Sequence, residues 1–493
     1  MSNQDTTHQL IQTMSRTEKA YFKKYARKQQ REKDDFYFKL FDAIDQQETY
    51  NSALLLKKFR KRKMTQKQLS IAKHYLYNLL LTSLLAYQKN KSIDAQLHEQ
   101  IETIQLLTKR SLLTQALKTL HKAQKLAQKH EAFLHLLLLQ MQEEEILRLQ
   151  MTPELQRYIE CGFEQEIQIT KQWLNLRHYR YLATKSNYWS RQQYTSRTDA
   201  SDQITNTILE DVQQSAPPLS AKAKFLQLHT CIDYYNQKGN FQVSSKLLKE
   251  QITLLEAHPL FLELNQIAYI IILNNLGVNQ RHLQDFQGLL TTAQKLKAIT
   301  PKNPHETIQI FESWAQTMLI YITYSKSKVN HSKDLKNIED EFEIYKDKIG
   351  YDFKIIIPYG LACSYFWQNQ YHRALDWLNR TQVYYTKNII PDLKIAARLI
   401  ELIIHYELDH QYYLLNANES TYRFLMYNKR LYKLEANVIK RLRQLSAQIT
   451  SSQKTKEIFK AFKADLIELQ KDPMEVGAFQ LFDFIRWTDD NIK

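Results

Sequence analysis

The chain has 493 residues and a formal net charge of +16, with 68 Lys plus Arg against 52 Asp plus Glu. This length exceeds what one hydrophobic core supports, so the chain must form several domains or a modular stack. It contains only 7 Gly and 9 Pro. A sheet-rich protein needs many turns built from these residues, so the composition excludes a mainly β fold and predicts an all-α protein.

Cysteine usage and hydropathy bear on the cellular compartment. Cys161, Cys231 and Cys363 are few and far apart, which is typical of reduced thiols that serve as small buried side chains. The N-terminal residues are polar and lack the apolar segment of a secretion signal. The longest apolar runs fall short of the ~20 residues that cross a bilayer. We therefore expect a soluble cytoplasmic protein that does not enter a membrane.

Residues 1–95 are predicted to form a basic helical N-terminal domain. Ser15 and Glu18, and again Thr65 and Gln68, have the spacing of a capping box that begins a helix. The helix after Thr65 has apolar residues at three- and four-residue steps. The segment contains 19 Lys plus Arg and 9 Asp plus Glu. The difference is +10, which leaves +6 for the rest of the chain.

A basic run precedes that apolar helix. Two interpretations are open: a phosphate-binding patch, since clustered cations gain affinity for nucleic acid by releasing counterions, or a solvated linker that aids solubility. No known nucleic-acid-binding motif accompanies the run. The candidate phosphate contacts are Lys57, Lys58, Arg60, Lys61, Arg62 and Lys63.

Residues 96–215 are predicted to form hairpins of long helices. One helix is expected from about Glu131 to Leu149, and Thr152-Pro153 ends it. Because Pro is favoured in the first turn of a helix, a second is expected from about Glu154 to Ser186. Residues 187–201 are polar and helix-poor, which predicts a long surface loop.

Residues 216–430 are predicted to form repeats of about 42 residues. Pro217, Pro259 and Pro301 are equally spaced, and each lies between two helical segments. Since proline ends helices, equal spacing indicates modules of equal length. Residues 431–493 are predicted to form capping helices that shield the last apolar face of the stack.

Residues 356–384 give the clearest single module, two short helices that separate around residues 369–371. The segment resembles a tetratricopeptide hairpin, although Pro358 and Thr381 depart from the motif. The resemblance implies a right-handed α-solenoid. The residues on the signature spacing are Leu361, Ala362, Tyr365, Tyr371, Ala374 and Leu378.

Two further stretches, SRTEKAYFKKY near the N-terminus and STYRFLMYNKRLYKLE at Ser420 to Glu435, resemble an uncharacterised family of bacterial helical-repeat proteins. That resemblance implies a cytoplasmic repeat fold and brings no known chemistry with it.

The first helix of the hairpin holds the candidate groove contacts. In tetratricopeptide proteins this helix lines the concave surface, so the resemblance implies that Tyr359, Phe366 and Trp367 could anchor a peptide. The alternative is that these aromatic side chains fill gaps between modules.

The spacings that catalysis requires do not occur. There is no phosphate-binding glycine loop and no HExxH motif, so we predict no catalytic residues, metal or cofactor. The leading hypothesis is a non-enzymatic scaffold that binds a protein partner, as a peptide, a helix or a domain, in a superhelical groove. The second hypothesis is a nucleic-acid-associated regulator that uses the basic N-terminal domain. An enzyme with a site assembled between modules is the third.

Overall fold

The computed structural model describes a chain whose regular elements are all helices. Within the described residues there are 24 α-helices and one short 3-10 helix, and no strand. The all-α prediction is therefore confirmed. The described residues are 5–29, 36–88, 92–151, 153–193, 199–325, 331–384, 391–446, 452–472, 475, 479 and 481–492.

The chain divides into two compact units, Met1–Trp173 and Leu174–Lys493. The boundary falls inside one long helix, because helix α9 runs from Pro153 to Gln193. The domain boundaries predicted from composition, after residues 95, 215 and 430, stay predictions.

The first unit contains two groups of helices. Helices α1–α5 pack around an apolar core that includes Phe22, Leu40, Phe41, Ile44 and Leu76. Helix α6 packs on α7, and α7 packs on α8. The elements are α1 Thr6–Thr13, α2 Arg16–Gln29, α3 Phe36–Asp45, α4 Ser52–Lys58, the 3-10 helix Arg60–Arg62, α5 Gln66–Gln88, α6 Ile93–Lys109, α7 Leu113–Lys129, α8 Phe133–Gln150 and the first part of α9.

Both predicted capping boxes are present. The Ser15 main-chain N–H donates to Glu18 Oε2 (2.8 Å), and the Glu18 N–H donates back to Ser15 Oγ (3.2 Å). The Thr65 N–H donates to Gln68 Oε1 (2.9 Å), and the Gln68 N–H donates to Thr65 Oγ1 (3.3 Å). Each box satisfies donors that the first helical turn would leave unpaired.

The second unit continues as consecutive helices that pack on their neighbours in the chain. It starts with the remainder of α9 and contains α10 Asp199–Gln214, α11 Ala221–Gln237, α12 Phe241–Ala257, α13 Pro259–Leu264, α14 Gln266–His282, α15 Phe286–Ala298, α16 Pro304–Tyr324, α17 Ser332–Tyr345, α18 Phe353–Phe366, α19 Tyr371–Gln382, α20 Pro391–Glu407, α21 Gln411–Tyr427, α22 Lys433–Ser446, α23 Ser452–Leu469 and α24 Phe484–Ile492.

Hydrogen bonds between polar side chains join helices α14, α16 and α18. Asn274 Nδ2 donates to Gln316 Oε1 (3.0 Å) across 42 residues. The Thr323 and Ser364 hydroxyls, both buried, share a hydrogen bond (3.0 Å) across 41 residues. The repeat of about 42 residues and the assignment of these hairpins to the tetratricopeptide class stay predictions.

A glycine sets how closely two of these helices approach. At Gly277 on α14, an added Cβ would lie 3.0 Å from Thr317 Cγ2 on α16. That distance is shorter than ordinary van der Waals contact, so a larger residue would push the helices apart. Gly277 therefore permits the close contact between α14 and α16.

The loop predicted for residues 187–201 is wrong at both ends, because α9 continues to Gln193 and α10 begins at Asp199. His229 of α11 lies 3.2 Å from Asn187 Oδ1, and Ser186 Oγ donates to Asp233 of α11 (3.0 Å). These contacts hold the end of α9 against α11 and override the weak helix propensity of the sequence. Residues 194–198 of the predicted loop lie outside the described residues.

The last helix places a tryptophan in the core. The Trp487 side chain is 2% exposed and packs edge-on against Tyr406, Phe459 and Phe462. Its indole Nε1–H donates to Glu407 Oε1 at 2.6 Å. Trp487 thus fixes α24 to α20 and α23.

We predict that Trp487→Ala lowers the free energy of unfolding by about 3–5 kcal/mol, because it leaves a cavity and removes a hydrogen bond. Urea unfolding followed by circular dichroism measures this change. Tyr427→Ala, at a side chain that is 89% exposed, is the control and should change stability by less than about 0.5 kcal/mol. Equal effects of the two substitutions would contradict the placement of α24.

A buried histidine is expected to make the stability of the second unit sensitive to acid. His405 is buried, its Nδ1 lies 2.9 Å from His410 Nδ1, and its ring centroid lies 4.0 Å from that of Tyr413. Burial, and then the neighbouring His410, lower the pKa of His405 to about 4. Burial likewise lowers the pKa of His282 to about 4. Between pH 6.5 and 4 these two histidines therefore bind more protons in the unfolded chain than in the folded chain.

We predict that stability falls as the pH is lowered from about 6.5 towards 4, and that His405→Gln makes this fall less steep. Urea unfolding of the wild type and the variant at several pH values tests this. His372→Gln, at an exposed position, should keep the wild-type pH dependence. A His405→Gln profile that parallels the wild type would exclude His405 as a cause.

Candidate interaction surfaces

The three candidate groove residues are covered by other parts of the chain. Tyr359 and Phe366 lie on α18 and are 7% and 3% exposed. Trp367 caps the end of that helix and is half-buried. The covering residues come from the C-terminal segment Leu481–Ile492, which leads into and forms α24.

A main-chain carbonyl of the C-terminal segment is held by two tyrosines. The Leu481 oxygen accepts hydrogen bonds from the Tyr359 hydroxyl (2.9 Å) and the Tyr324 hydroxyl (3.2 Å). The next residue, Phe482, stacks on Trp367 with ring centroids 5.3 Å apart and planes 15° from parallel. It also meets Phe366 edge-on at 5.3 Å.

Arg486 completes this contact. Its guanidinium lies 3.9 Å from the Trp367 ring centroid, and its Nη1 donates to the Thr323 main-chain oxygen (3.1 Å). Phe482 and Phe484 are each 1% exposed. Removing the segment would expose these aromatic side chains, each costing about 1.5–3 kcal/mol. The aromatic side chains of this surface therefore pack as core against the chain's own C-terminus.

The cysteines differ in their surroundings. Burial raises the pKa of the Cys363 thiol to about 12 and also raises the pKa of Cys231. Both thiols thus stay protonated at neutral pH and are poor nucleophiles. The prediction of buried cysteines is wrong for Cys161, which is exposed on α9.

The predicted basic run lies at the end of α4 and in the 3-10 helix. Phe59 anchors it, since this side chain is buried edge-on against Phe36 with ring centroids 5.4 Å apart. Lys63 takes a left-handed conformation (φ 48°), where the chain turns towards α5. This fold leaves all six basic side chains exposed, namely those of Lys57, Lys58, Arg60, Lys61, Arg62 and Lys63.

Four of these cations pair with no carboxylate of the described residues. Arg62 lies over the Phe36 ring at 4.4 Å, and Lys58 Nζ donates to Gln46 Oε1 at 3.4 Å. Within the described part of the chain, the remaining four (Lys57, Arg60, Lys61 and Lys63) form no ion pair. The carboxylates of Asp42 and Asp45 pair instead with Lys23 (2.7 Å) and Lys19 (2.6 Å). These four side chains therefore carry positive charge that no described carboxylate pairs with.

Sequence reasoning missed a third surface, on helices α8 and α9. The first part of α9 exposes Ile159 (70%) and Phe163 (69%), and α8 exposes Met141 (58%). On the same two helices, apolar side chains that lie one or two turns from these residues are exposed as well. We define the apolar flank as Leu134, Leu138, Met141, Ile159, Phe163 and Ile167.

Helix α9 begins three residues after α8 ends, and a hydrogen bond from the Tyr158 hydroxyl to the Gln140 main-chain oxygen (3.5 Å) joins the two helices. The exposed apolar side chains of α9 lie on one face of that helix, because residues three or four apart are neighbours on a helix surface.

The sequence carries a partial signal for this surface. Ile159, Phe163 and Ile167 recur every four residues, as on an amphipathic helix. Helix α8, however, contains four consecutive leucines, Leu136 to Leu139, so its apolar residues point in several directions. The packing of α6 and α7 on α8 decides which of them are covered.

The described residues contain no group of three or more His, Cys, Asp or Glu placed to hold a metal ion, and no helix both long and apolar enough to cross a bilayer. A cavity of about 150 Å³ is lined by Leu378, Thr381, Gln382, Ala397, Arg398 and Glu401. It is smaller than the roughly 300–1,000 Å³ of typical ligand sites.

No protein-family model, curated protein or solved structure matches the chain. The resemblances to tetratricopeptide proteins and to a bacterial helical-repeat family therefore stay predictions. The three surfaces, the aromatic surface under the C-terminal segment, the basic run and the apolar flank, have to be interpreted from their own geometry.

Proposed function

We propose that the protein is a non-enzymatic interaction scaffold that binds a helix of a partner protein on the apolar flank. The observation that supports this most directly is the exposure of Ile159, Phe163 and Ile167 at four-residue steps on α9. Exposed apolar side chains that adjoin one another are typical of protein-binding sites, whereas isolated ones are ordinary.

The apolar flank is a better docking surface than the predicted groove. At the groove, a partner would have to displace Leu481, Phe482 and Arg486 from Tyr359 and Trp367 before gaining any contact. At the apolar flank, nothing in the described residues has to move. We therefore place the docking site on the apolar flank and not in the predicted groove, and we keep the scaffold hypothesis.

The first part of α9 also needs further contacts for its own stability. Between residues 153 and 173 the only buried residue is Gly162. An isolated helix of this length is marginal in water, because most helical stability comes from packing of an apolar face. A partner that covers Ile159 and Phe163 would supply that packing.

We predict that Phe163→Glu abolishes partner binding without unfolding the protein, because it places a charge in the centre of the apolar flank. Cross-linking in the native host, followed by affinity purification and mass spectrometry, measures binding. Tyr427→Glu, at another exposed aromatic position, is the matched control and should recover the same partners as the wild type. If Phe163→Glu also recovers them, the apolar flank is not the docking surface.

We propose nucleic-acid association as the second candidate function. It is favoured by the exposure of the basic run and by the absence of ion pairs at Lys57, Arg60, Lys61 and Lys63 within the described residues. Each cation that meets a phosphate releases a counterion, which makes such binding strong at low salt.

We predict that changing all six basic-run residues to Gln weakens binding of a labelled duplex at 50 mM salt by about tenfold or more, and makes binding less salt-dependent. Fluorescence anisotropy measures both effects. The control replaces four exposed lysines of α7, Lys118, Lys122, Lys125 and Lys129, by Gln. An equal loss in the control would mean diffuse attraction, and no binding by the wild type would exclude this function.

A further inference from the structure

The second part of α9 exposes large apolar side chains of its own. Leu174 is 55% exposed, Tyr181 62% and Tyr188 57%. They recur at seven-residue steps, and seven steps of about 100° bring a side chain back to nearly the same side of a helix. The packing of the second unit leaves this face open, because it buries Leu176 and Tyr179 on the other side of α9.

These three side chains continue the exposed face of the first part of α9. On a helix that turns about 100° per residue, they fall within a sector of about 80° together with the three exposed apolar residues of the first part. The helix is continuous from Pro153 to Gln193, so they form one row about 44 Å long at 1.5 Å per residue. We define the α9 stripe as Ile159, Phe163, Ile167, Leu174, Tyr181 and Tyr188.

The charge of α9 is divided between its two parts. Residues 153–167 contain four Glu and one cation, Arg157. Residues 168–193 contain five Lys plus Arg and no Asp or Glu. These two ranges include every residue of the helix. The α9 stripe therefore lies on a helix that is acidic at one end and basic at the other.

Four of these charges lie along the two edges of the α9 stripe. At about 100° per residue, Glu160 and Lys185 lie on one edge, and Glu166 and Arg177 lie on the other. In the described part of the chain Lys185 pairs with Asp211 (3.0 Å), whereas Glu166 and Arg177 form no ion pair. Each edge thus has a carboxylate towards the start of the helix and a cation towards its end.

We infer that the partner helix is α9 of a second copy, paired antiparallel along the α9 stripe. This inference rests on the proposed function and names its partner. The two ends of one continuous helix cannot reach each other, so the acidic and the basic end can meet only between copies. An antiparallel pair related by a twofold axis brings them together twice.

One register of this pair matches the apolar side chains. With the twofold axis at Gln172, Phe163 lies opposite Tyr181 of the second copy, and Thr170 lies opposite Leu174 of the second copy. The members of each pair are equally far from the axis. The pairing covers apolar side chains on both sides of the axis, which drives association.

The same register matches the charges. Glu160 and Glu166 lie within one residue of the positions opposite Lys185 and Arg177 of the second copy. Because a twofold axis makes each edge of the helix meet the same edge of its partner, every one of these carboxylates faces a cation. Charged residues at such edges select the partner and the orientation of paired helices.

The charges argue against other occupants. A parallel pairing of two copies would bring Glu166 against Glu166 and Arg177 against Arg177, and like charges across an interface are costly. An anionic lipid surface attracts only the basic end of α9 and repels the acidic end. The antiparallel second copy is complementary to both ends.

The first test is the oligomeric state of the full-length protein, measured by light scattering from about 1 to 100 µM at 150 mM salt. We expect a dimer that dissociates on dilution. Phe163→Glu and Tyr181→Glu should each raise the dimer dissociation constant by about tenfold or more, because each buries a charge against an aromatic ring. Tyr427→Glu, at an exposed aromatic position outside α9, should keep the wild-type constant. Circular dichroism and urea unfolding establish that the variants are folded.

Charge exchange tests the antiparallel register. Glu166→Lys and Arg177→Glu should each weaken the dimer, because each sets like charges against one another at two places. The double variant, and an equimolar mixture of the two single variants, should regain the wild-type dimer, since every pair is again opposite in sign. The control variants Glu263→Lys and Lys249→Glu, at exposed positions elsewhere, should leave the dimer unchanged. A double variant as weak as the single variants would show that the antiparallel pairing is wrong.

The outcomes distinguish the inference from the proposed function. A wild type that stays monomeric up to about 100 µM, or a dimer that neither Phe163→Glu nor Tyr181→Glu weakens, overturns the inference. If Phe163→Glu then still loses the partners recovered by cross-linking, the scaffold stands and its partner is another protein. If Phe163→Glu affects neither the dimer nor those partners, both proposals are wrong.

Discussion

Most helices of this protein bury their apolar stripes against helices close to them in the chain, and the rest of the structure depends on that constraint. Helix α14 packs on α12, α15 and α16, and α18 packs on α16 and α19. Polar side chains follow the same rule, since Asn274 and Thr323 find partners 42 and 41 residues away. Local packing of this kind favours regular helices and short connections, and it explains why Gly and Pro are scarce.

The constraint leaves apolar side chains uncovered wherever a neighbouring helix is missing. In the second unit, the chain itself covers such side chains. The C-terminal segment returns to α16, α18 and α20, so that Phe482 stacks on Trp367 and Trp487 fills the space beside Tyr406. In the first unit no described residue covers Ile159 and Phe163. One apolar surface is therefore core, and the other is available to a partner.

The basic run owes its exposure to the packing of the first unit. Phe59 holds the run at the surface, while Asp42 and Asp45 pair with other lysines. The positive charge of Lys57, Arg60, Lys61 and Lys63 therefore stays open to an anionic partner.

The sequence by itself determined the helical class and both capping boxes, because these depend on residues within one or two helical turns. Only the tertiary structure decided that Tyr359 and Phe366 are covered and that Ile159 and Phe163 are not. Both pairs have the same apolar character. Exposure depends on which distant segment lies against a helix, and that choice is made by the packing of the whole unit and not by local spacing.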